Sequence, residues 1–261
     1  MPDFSFGNDY TLRKDTVRKL FDLVLAQRVV HIRGTPTSGK TVLSRLLYSH
    51  VRQAHPKYTV LHVTWIPIEA RLPSERFWDK FLCSHSNDYP VEQRVDSRNL
   101  LSRSNLVIVI DEAQLSYAKN DQSIWVECLK TQSQSESGPY FVLFSSFGSA
   151  TNTALEIAGS APITLERVQR VSLIPQPDWP HDISLCFTPE EVQDLCSRMV
   201  GNRNFTVAPD VLEHLFIQTN GHPGLTRALL RYLFELPVST SPVPFVQVRC
   251  DPEGLIFIPC R

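Results

Sequence analysis

The segment Gly34-Thr35-Pro36-Thr37-Ser38-Gly39-Lys40-Thr41 meets the pattern G-x-x-x-x-G-K-[ST] in full. Its residue types suit the capture of a phosphate chain. Phosphate oxygens need several N–H donors converging on one point, and side chains would obstruct that approach, so glycines flank the turn. A helix opening at the end of the loop adds the positive end of its dipole. Lys40 is expected to reach the outer phosphates of a nucleoside triphosphate, and the Thr41 hydroxyl to coordinate Mg²⁺. All eight residues from Gly34 to Thr41 are thus candidate nucleotide ligands.

A second constellation is Asp111-Glu112, directly after the aliphatic run Leu106-Val-Ile-Val-Ile110. Carboxylates at the C-terminal edge of a central strand sit where open α/β sheets bind ligands. Asp111 is expected to hold the Mg²⁺ shell through water, and Glu112 to polarise the attacking water. Alone, Asp-Glu after a strand is more often a solvated turn, and the complete loop upstream is what favours catalysis. Ser145 and Ser146 follow the apolar run Tyr140 to Phe144, where a hydroxyl could sense the terminal phosphate or could simply open a loop.

Further along, Asn220-Gly-His-Pro-Gly-Leu-Thr-Arg227 carries two more candidates. Gly221 and Pro223 make a rigid turn able to press on a nucleotide base. Arg227 falls in the first turn of the next helix, where the dipole disfavours a cation, so an anionic partner such as a phosphate is expected. The competing reading is a C-cap glycine followed by an ordinary surface arginine. Arg167 and Arg170 precede a candidate strand and could supply an arginine finger to a neighbouring subunit, although solvated arginines are the commoner case. His31, His62 and His222 read as structural, and Cys83-Ser-His85 is too sparse to propose a metal.

The elements that must position these residues alternate in type. Val17, Leu20, Phe21 and Val24 have helical spacing, and residues 28–32 turn β-like just before the glycine loop. Val42, Leu43, Leu46 and Leu47 mark one face of the following helix, which His55-Pro56 stops. Strands are expected at 58–65, 106–110, 140–144 and 171–174. Helices are expected within 67–104, around the amphipathic patch Phe77, Trp78, Phe81 and Leu82, and also near 121–131 and 151–158. Strands alternating with helices imply crossovers and a parallel sheet. After the proline-rich stretch 175–180 the pattern becomes helical, near 189–200, 209–218 and 223–236. Thr188-Pro189-Glu190-Glu191 offers an N-cap, a first-position proline and a capping box. Residues 245–249 and 255–258, around a turn at 251–254, read as a terminal hairpin.

The expectation is therefore an α/β fold: a parallel five-stranded sheet sandwiched by helices in an NTP-binding core at 1–176, a small helical lid at 177–236, and a β-hairpin tail at 237–261. A length of 261 residues suits such a core with a smaller appendage. The charges nearly cancel, 26 Lys and Arg against 27 Asp and Glu, so no overall field draws the chain to nucleic acid or to an anionic membrane. The six cysteines include no C-x-x-C pair and read as reduced core thiols. The opening residues lack a signal peptide's basic and apolar regions, and no apolar run approaches the roughly 20 residues of a membrane helix. A cytoplasmic or nuclear location is expected.

With these residues in view, the chain resembles the AAA+ and STAND branch of the P-loop ATPases, in which the sheet carries an added polar-tipped strand beside the phosphate-binding one. The resemblance rests on residues 34–41, the Val-Ile-Val-Ile-Asp-Glu run ending at Glu112, the sensor-like Ser145-Ser146 and the Gly-His-Pro turn at 221–223. More narrowly, His31 to Thr41, Val109-Ile-Asp-Glu-Ala-Gln114 and Tyr140 to Gly148 look like the NTPase module of fungal Crinkler-type proteins, which are associated with nuclear or host-targeted effector roles. The resemblance implies ATP as ligand, by analogy only, and no Asn-Lys-x-Asp guanine signature follows a strand.

The leading expectation is an ATPase using Mg²⁺, with a lid that couples nucleotide state to an unidentified protein partner or to self-association. The alternative is a nucleotide-dependent switch with slow or incidental hydrolysis. A helicase reading of Asp111-Glu-Ala-Gln114 would need a second motor domain, and a nucleoside-kinase reading would need an arginine-rich lid. Neither is evident.

Overall fold

The computed structural model describes residues 6–65, 102–117, 129, 137–146, 165–201, 206–235, 247–250 and 256–257. Several expected features lie outside the described residues: the patch Phe77, Trp78, Phe81 and Leu82, most of the helix at 121–131, the helix at 151–158, Cys83 and His85, and the turn at 251–254. By their contacts the residues form two compact units. Lys14–Pro36 and Lys40–Ser184 make up the first, and Ser5–Arg13, Thr37–Gly39 and Leu185–Arg261 the second.

In the first unit, helix α1 (Lys14–Gln27) buries Val17, Leu20, Phe21 and Val24, the stripe its periodicity announces. Strand β1 (Val29–Arg33) leads into the glycine loop, and α2 (Lys40–Ala54) leaves it. Helix α2 buries Leu43, Leu46, Leu47 and Val51, whereas Val42 is only half-buried at the margin of that face. It ends where His55 N–H reaches the Val51 carbonyl (3.0 Å) and Pro56 removes the next donor. Strands β2 (Thr59–Thr64), β3 (Leu106–Asp111), β4 (Tyr140–Ser145) and β5 (Arg170–Val171) complete a five-stranded sheet of order β2-β3-β4-β1-β5. Every pairing in it is parallel.

This order puts β4 between the two strands that carry the loop and the carboxylates, with Ile110 opposite Leu143 and Arg33 opposite Ser145. Strands β3 and β4 are buried at every position, as central strands with both faces covered must be. Each fully buried Leu, Ile or Phe there contributes about 1.5–3 kcal/mol relative to exposure, so the site stands on fully buried strands. Strand β5 is shorter than the run 171–174 suggested. Ser172 Oγ donates to the Ile174 carbonyl (2.5 Å) and Gln176 Nε2 donates to the same oxygen (3.2 Å), which turns the chain away after Val171 and leaves Ile174 exposed.

In the second unit, α3 (Pro189–Val200), α4 (Pro209–Thr219) and α5 (Pro223–Glu235) close on Val192, Leu195, Cys196, Val211, Leu215, Leu230 and Leu233. The α3 capping box forms as the residue types require. Thr188 Oγ1 accepts from Glu191 N–H (3.3 Å), and Glu191 Oε2 accepts from Thr188 N–H (3.1 Å). Glu191 also receives the buried Arg13 guanidinium (3.1 Å), which donates as well to the carbonyls of Leu185 (3.0 Å) and Cys186 (3.1 Å). Cys186 and Cys196 are free and buried. Burial raises both thiols, that of Cys196 to about 11, so neither is a ready nucleophile.

The C-terminal strands β7 (Gln247–Cys250) and β8 (Ile256–Phe257) pair antiparallel, as a hairpin would. They are joined by β6 (Thr206–Val207), parallel to β7, to make three strands. A two-residue strand has too little periodicity to announce itself in sequence. Among the described residues no helix is long and apolar enough to cross a membrane.

Candidate functional site

The glycine loop leaves β1 with its first turn tied to the sheet, because Gly34 N–H donates to the Ser145 carbonyl at the tip of β4 (3.2 Å). Two of its residues have left-handed backbones, Thr37 (φ 63°) and Gly39 (φ 80°). Gly39 adopts this freely, but for a β-branched threonine it is strained, and strain of this kind collects at binding sites. Left-handed residues among right-handed ones are the backbone pattern from which anion nests are built.

Lys40 opens α2 and is buried. Its ammonium donates to the carbonyls of Gly34 (3.0 Å) and Thr35 (2.7 Å), folding the side chain along the loop. Burial lowers its pKa, while the charges of Glu112 and Asp111 act in the opposite sense. The lysine and the two carboxylates, some seventy positions apart in sequence, therefore share one electrostatic neighbourhood. Thr41 lies in the first turn of α2, half-buried.

Asp111 is the last residue of β3 and is buried. Its Oδ1 accepts from Glu112 N–H (3.1 Å), and its carbonyl accepts from Trp65 N–H (2.9 Å) at the end of β2. Glu112 has a left-handed backbone (φ 55°), so the chain breaks from the strand at the residue that carries the second carboxylate. Leu115 N–H then closes a turn on the Glu112 carbonyl (3.0 Å). Oxygen ligands from Thr41 and Asp111 are the class Mg²⁺ takes, and Mg²⁺ keeps much of its water, so these residues fit it. Among the described residues no group of three or more His, Cys, Asp or Glu side chains is gathered as a metal cage.

Ser145 and Ser146 behave differently from one another. The Ser145 hydroxyl is fully buried and meets His31 Nε2 at 2.6 Å. Burial, followed by the charges of Arg33 and Arg170, depresses His31 to about 3, so the imidazole is neutral at pH 7. Ser146 N–H donates to Gln114 Oε1 (3.0 Å), and Gln114 Nε2 donates to Glu112 Oε2. The partnership of His31 and the bridge through Gln114 were missed by sequence reasoning. Gln114 stood in the Asp-Glu-Ala-Gln run, yet its partner at 146 lies 32 positions away and no spacing rule connects them.

Pro223 and Gly224 begin α5 within the second unit, to which Thr37–Gly39 also belong. A Cβ added to Gly39 would come within 3.3 Å of Pro223 Cβ, and one added to Gly224 would lie 2.8 Å from Thr37. Gly221 (φ 68°) is as constrained, because an added Cβ would lie 2.3 Å from the Phe187 carbonyl oxygen. Arg227 lies over the Tyr10 ring (5.1 Å) and 4.0 Å from Asp9 Oδ2, so the anion beside it is a carboxylate. Asp9 also holds Arg231 (2.6 Å). Arg167 pairs with Asp178 at an exposed site (3.5 Å), and Arg170 donates to the Leu165 carbonyl. His62 Nε2 on β2 meets Ser44 Oγ on α2 (2.9 Å), and His222 Nδ1 accepts from Leu225 N–H (3.4 Å).

No protein-family model matches the sequence, and no curated protein does. Among solved structures, the chain is similar to the Walker-type ATPase PABY2304 of Pyrococcus abyssi, with a TM-score of 0.51 and 14% identity over 85% of this chain and 67% of that one. The Thermotoga maritima RuvB Holliday junction branch migration motor gives a TM-score of 0.44 at 14% identity, over 86% of this chain and 62% of that one. The Aeropyrum pernix ORC2 protein, in ADPNP–ADP complexes, gives 0.46 at 16% identity, over 85% and 60%. The chain thus spans about three-fifths of the length of these last two structures. Together with the parallel sheet order and the loop at the end of β1, the Pyrococcus likeness shows that this chain has a P-loop NTPase fold.

Proposed function

We propose that this chain binds ATP with Mg²⁺ and hydrolyses it. The observation that carries the reading is the glycine loop between β1 and α2, with Lys40 folded along it onto the Gly34 and Thr35 carbonyls, in a parallel sheet whose β3 ends at Asp111. In this reading Gly34 to Thr41 cradle the phosphates through main-chain N–H groups, and Lys40 exchanges the Gly34 and Thr35 carbonyls for phosphate oxygens. Thr41 and Asp111 hold the Mg²⁺ shell, and bound Mg²⁺ supplies charge neutralisation along the triphosphate. Glu112 takes a proton from water as the water oxygen bonds to the terminal phosphorus. The bond from that phosphorus to the β,γ-bridging oxygen breaks, releasing ADP and phosphate. Ser145 and Ser146 are proposed to sense the terminal phosphate through the β4 tip, with Ser145 acting from its bond to His31. Pro223 and Arg227 are proposed to contact the nucleotide from the segment 177–236, read as a lid that reports nucleotide state to a protein partner. The remaining divisions of this reading are a core at 1–176 and a tail at 237–261.

A second reading, a partner-binding switch with slow hydrolysis, is favoured by one feature. Leu225, Leu229 and Tyr232 form an exposed apolar stripe along α5, at the i, i+4, i+7 spacing of a helix face. Thermal unfolding of the purified chain with ATP, GTP or ADP, each with and without Mg²⁺, tests occupancy, base preference and metal dependence together. Phosphate release on the same samples separates the two readings. Stabilisation by Mg²⁺-ATP with turnover supports the ATPase, stabilisation without turnover supports the switch, and no stabilisation by any triphosphate overturns both.

A further inference from the structure

Gln114 lies in the short 3₁₀ turn Ala113–Tyr117 that follows Glu112, and it is one of the few buried polar side chains near the carboxylates. Its amide faces two ways: Oε1 accepts the Ser146 N–H (3.0 Å), and Nε2 donates to Glu112 Oε2. The orientation follows from chemistry. A main-chain N–H can only donate, so the amide oxygen must face Ser146, and the amide nitrogen then faces a carboxylate, which when ionised can only accept. The result is a bridge from the β4 tip to the Glu112 carboxylate. The Glu112 main chain is fixed as well, by its left-handed backbone, its N–H on Asp111 Oδ1 (3.1 Å) and its carbonyl under Leu115 N–H (3.0 Å).

A half-buried glutamate has three side-chain torsions to settle, and misplacement of a base by about 1 Å can cost about 10²-fold in rate. Gln114 removes that freedom by holding one carboxylate oxygen. We propose that Gln114 is a positioning residue for hydrolysis: it ties Glu112 Oε2 to the end of β4 and so aims Oε1 at the attacking water. The inference rests on Glu112 being the base, as proposed above. It differs from a purely structural tie between β3 and β4, which would act on stability alone.

The test compares the full chain with Q114M, Q114E, E112Q and the E112Q/Q114M double variant. Phosphate release gives kcat, and calorimetric titration with Mg²⁺-ATP gives affinity. Methionine keeps the length and packing of Gln114 but makes neither bond. Glutamate keeps an acceptor for Ser146 N–H but sets a like charge against Glu112. Q114M is expected to lower kcat about 10- to 100-fold with ATP affinity changed less than about threefold, and Q114E to lower kcat at least as much. The double variant should be no slower than E112Q alone, because both changes act through one carboxylate.

Wild-type kcat in Q114M, a loss confined to ATP affinity, or multiplying losses in the double variant would each overturn the positioning role. If Q114M does not fold, Q114E decides, and wild-type turnover in it overturns the proposal. Wild-type turnover in E112Q sinks the base assignment and this inference together. A slow E112Q beside a normal Q114M removes only Gln114.

Discussion

From Gly34 to Thr41 the groups that would meet a ligand are mostly main-chain donors of one contiguous segment, set by two left-handed residues and one lysine. At the tips of β3 and β4 they are side chains drawn from separate stretches: Asp111, Glu112 and Gln114 from one, Ser145 and Ser146 from another, and His31 bonded to Ser145 across 114 positions. The first region is one contiguous segment, anchored to the sheet where Gly34 N–H meets the Ser145 carbonyl. The second exists only once β1, β4 and β3 lie side by side in that order. Two kinds of sensitivity follow: the loop should answer to changes in charge and backbone freedom, and the carboxylate edge to changes in side-chain geometry.

The sharpest way to separate the regions is Glu112→Gln. It should leave ATP affinity near wild type while slowing phosphate release about 10²- to 10⁴-fold, because it removes a base and leaves the cradle intact. Release at the wild-type rate would end the catalytic assignment. Lys40→Ala should show the complementary pattern, a fall in ATP affinity of about 10²-fold or more by calorimetry, from lost charge-assisted bonds to phosphate. Equal affinity in the two proteins would show that the cradle does not use its lysine.

Smaller effects test each region from inside. Gly39→Ala forces a side chain into a left-handed backbone, 3.3 Å from Pro223 Cβ. The left-handed backbone costs alanine about 1–2 kcal/mol, so ATP affinity should drop roughly fivefold to thirtyfold with kcat little changed. A larger loss of kcat than of affinity would break the division drawn above.

The His31–Ser145 pair predicts a pH effect on stability. The folded chain holds His31 at about 3, against 6.5 for a free imidazole, so as pH falls below 6.5 the unfolded chain takes up the proton first. The contribution is therefore complete above pH 6.5 and is lost on the way down toward pH 3, at up to about 1.4 kcal/mol per pH unit. Burial also lowers His50 and His181, so His31→Gln should flatten the acid slope in denaturant titrations at pH 7, 6 and 5 without abolishing it. Parallel slopes would mean that His31 is not held neutral.

Legibility followed the same division. The loop, its flanking strand and helix, the aliphatic β3 run and the Thr188 capping box were readable because each depends on residues within a few positions of one another. Strand β5 was overestimated because Val171 to Ile174 looks β-like, and the turn made by Ser172 and Gln176 on the Ile174 carbonyl cannot be seen in an apolar pattern. Thr37 gave no sign of its left-handed backbone, since threonine ordinarily avoids that region. For Arg227 the spacing suggested a phosphate, and the acidic neighbour in the structure is Asp9, which sequence spacing could not name because the pair comes from distant parts of the chain.

The sequence by itself determined which residues could bind phosphate and which could accept a proton, because those capacities belong to residue type and local spacing. Tertiary structure alone decided that β4 lies between β1 and β3, that His31 meets Ser145, and that Gln114 joins Glu112 to Ser146. The physical reason is reach. A hydrogen bond acts over about 3 Å, and only the order of strands in the sheet brings such partners within that distance.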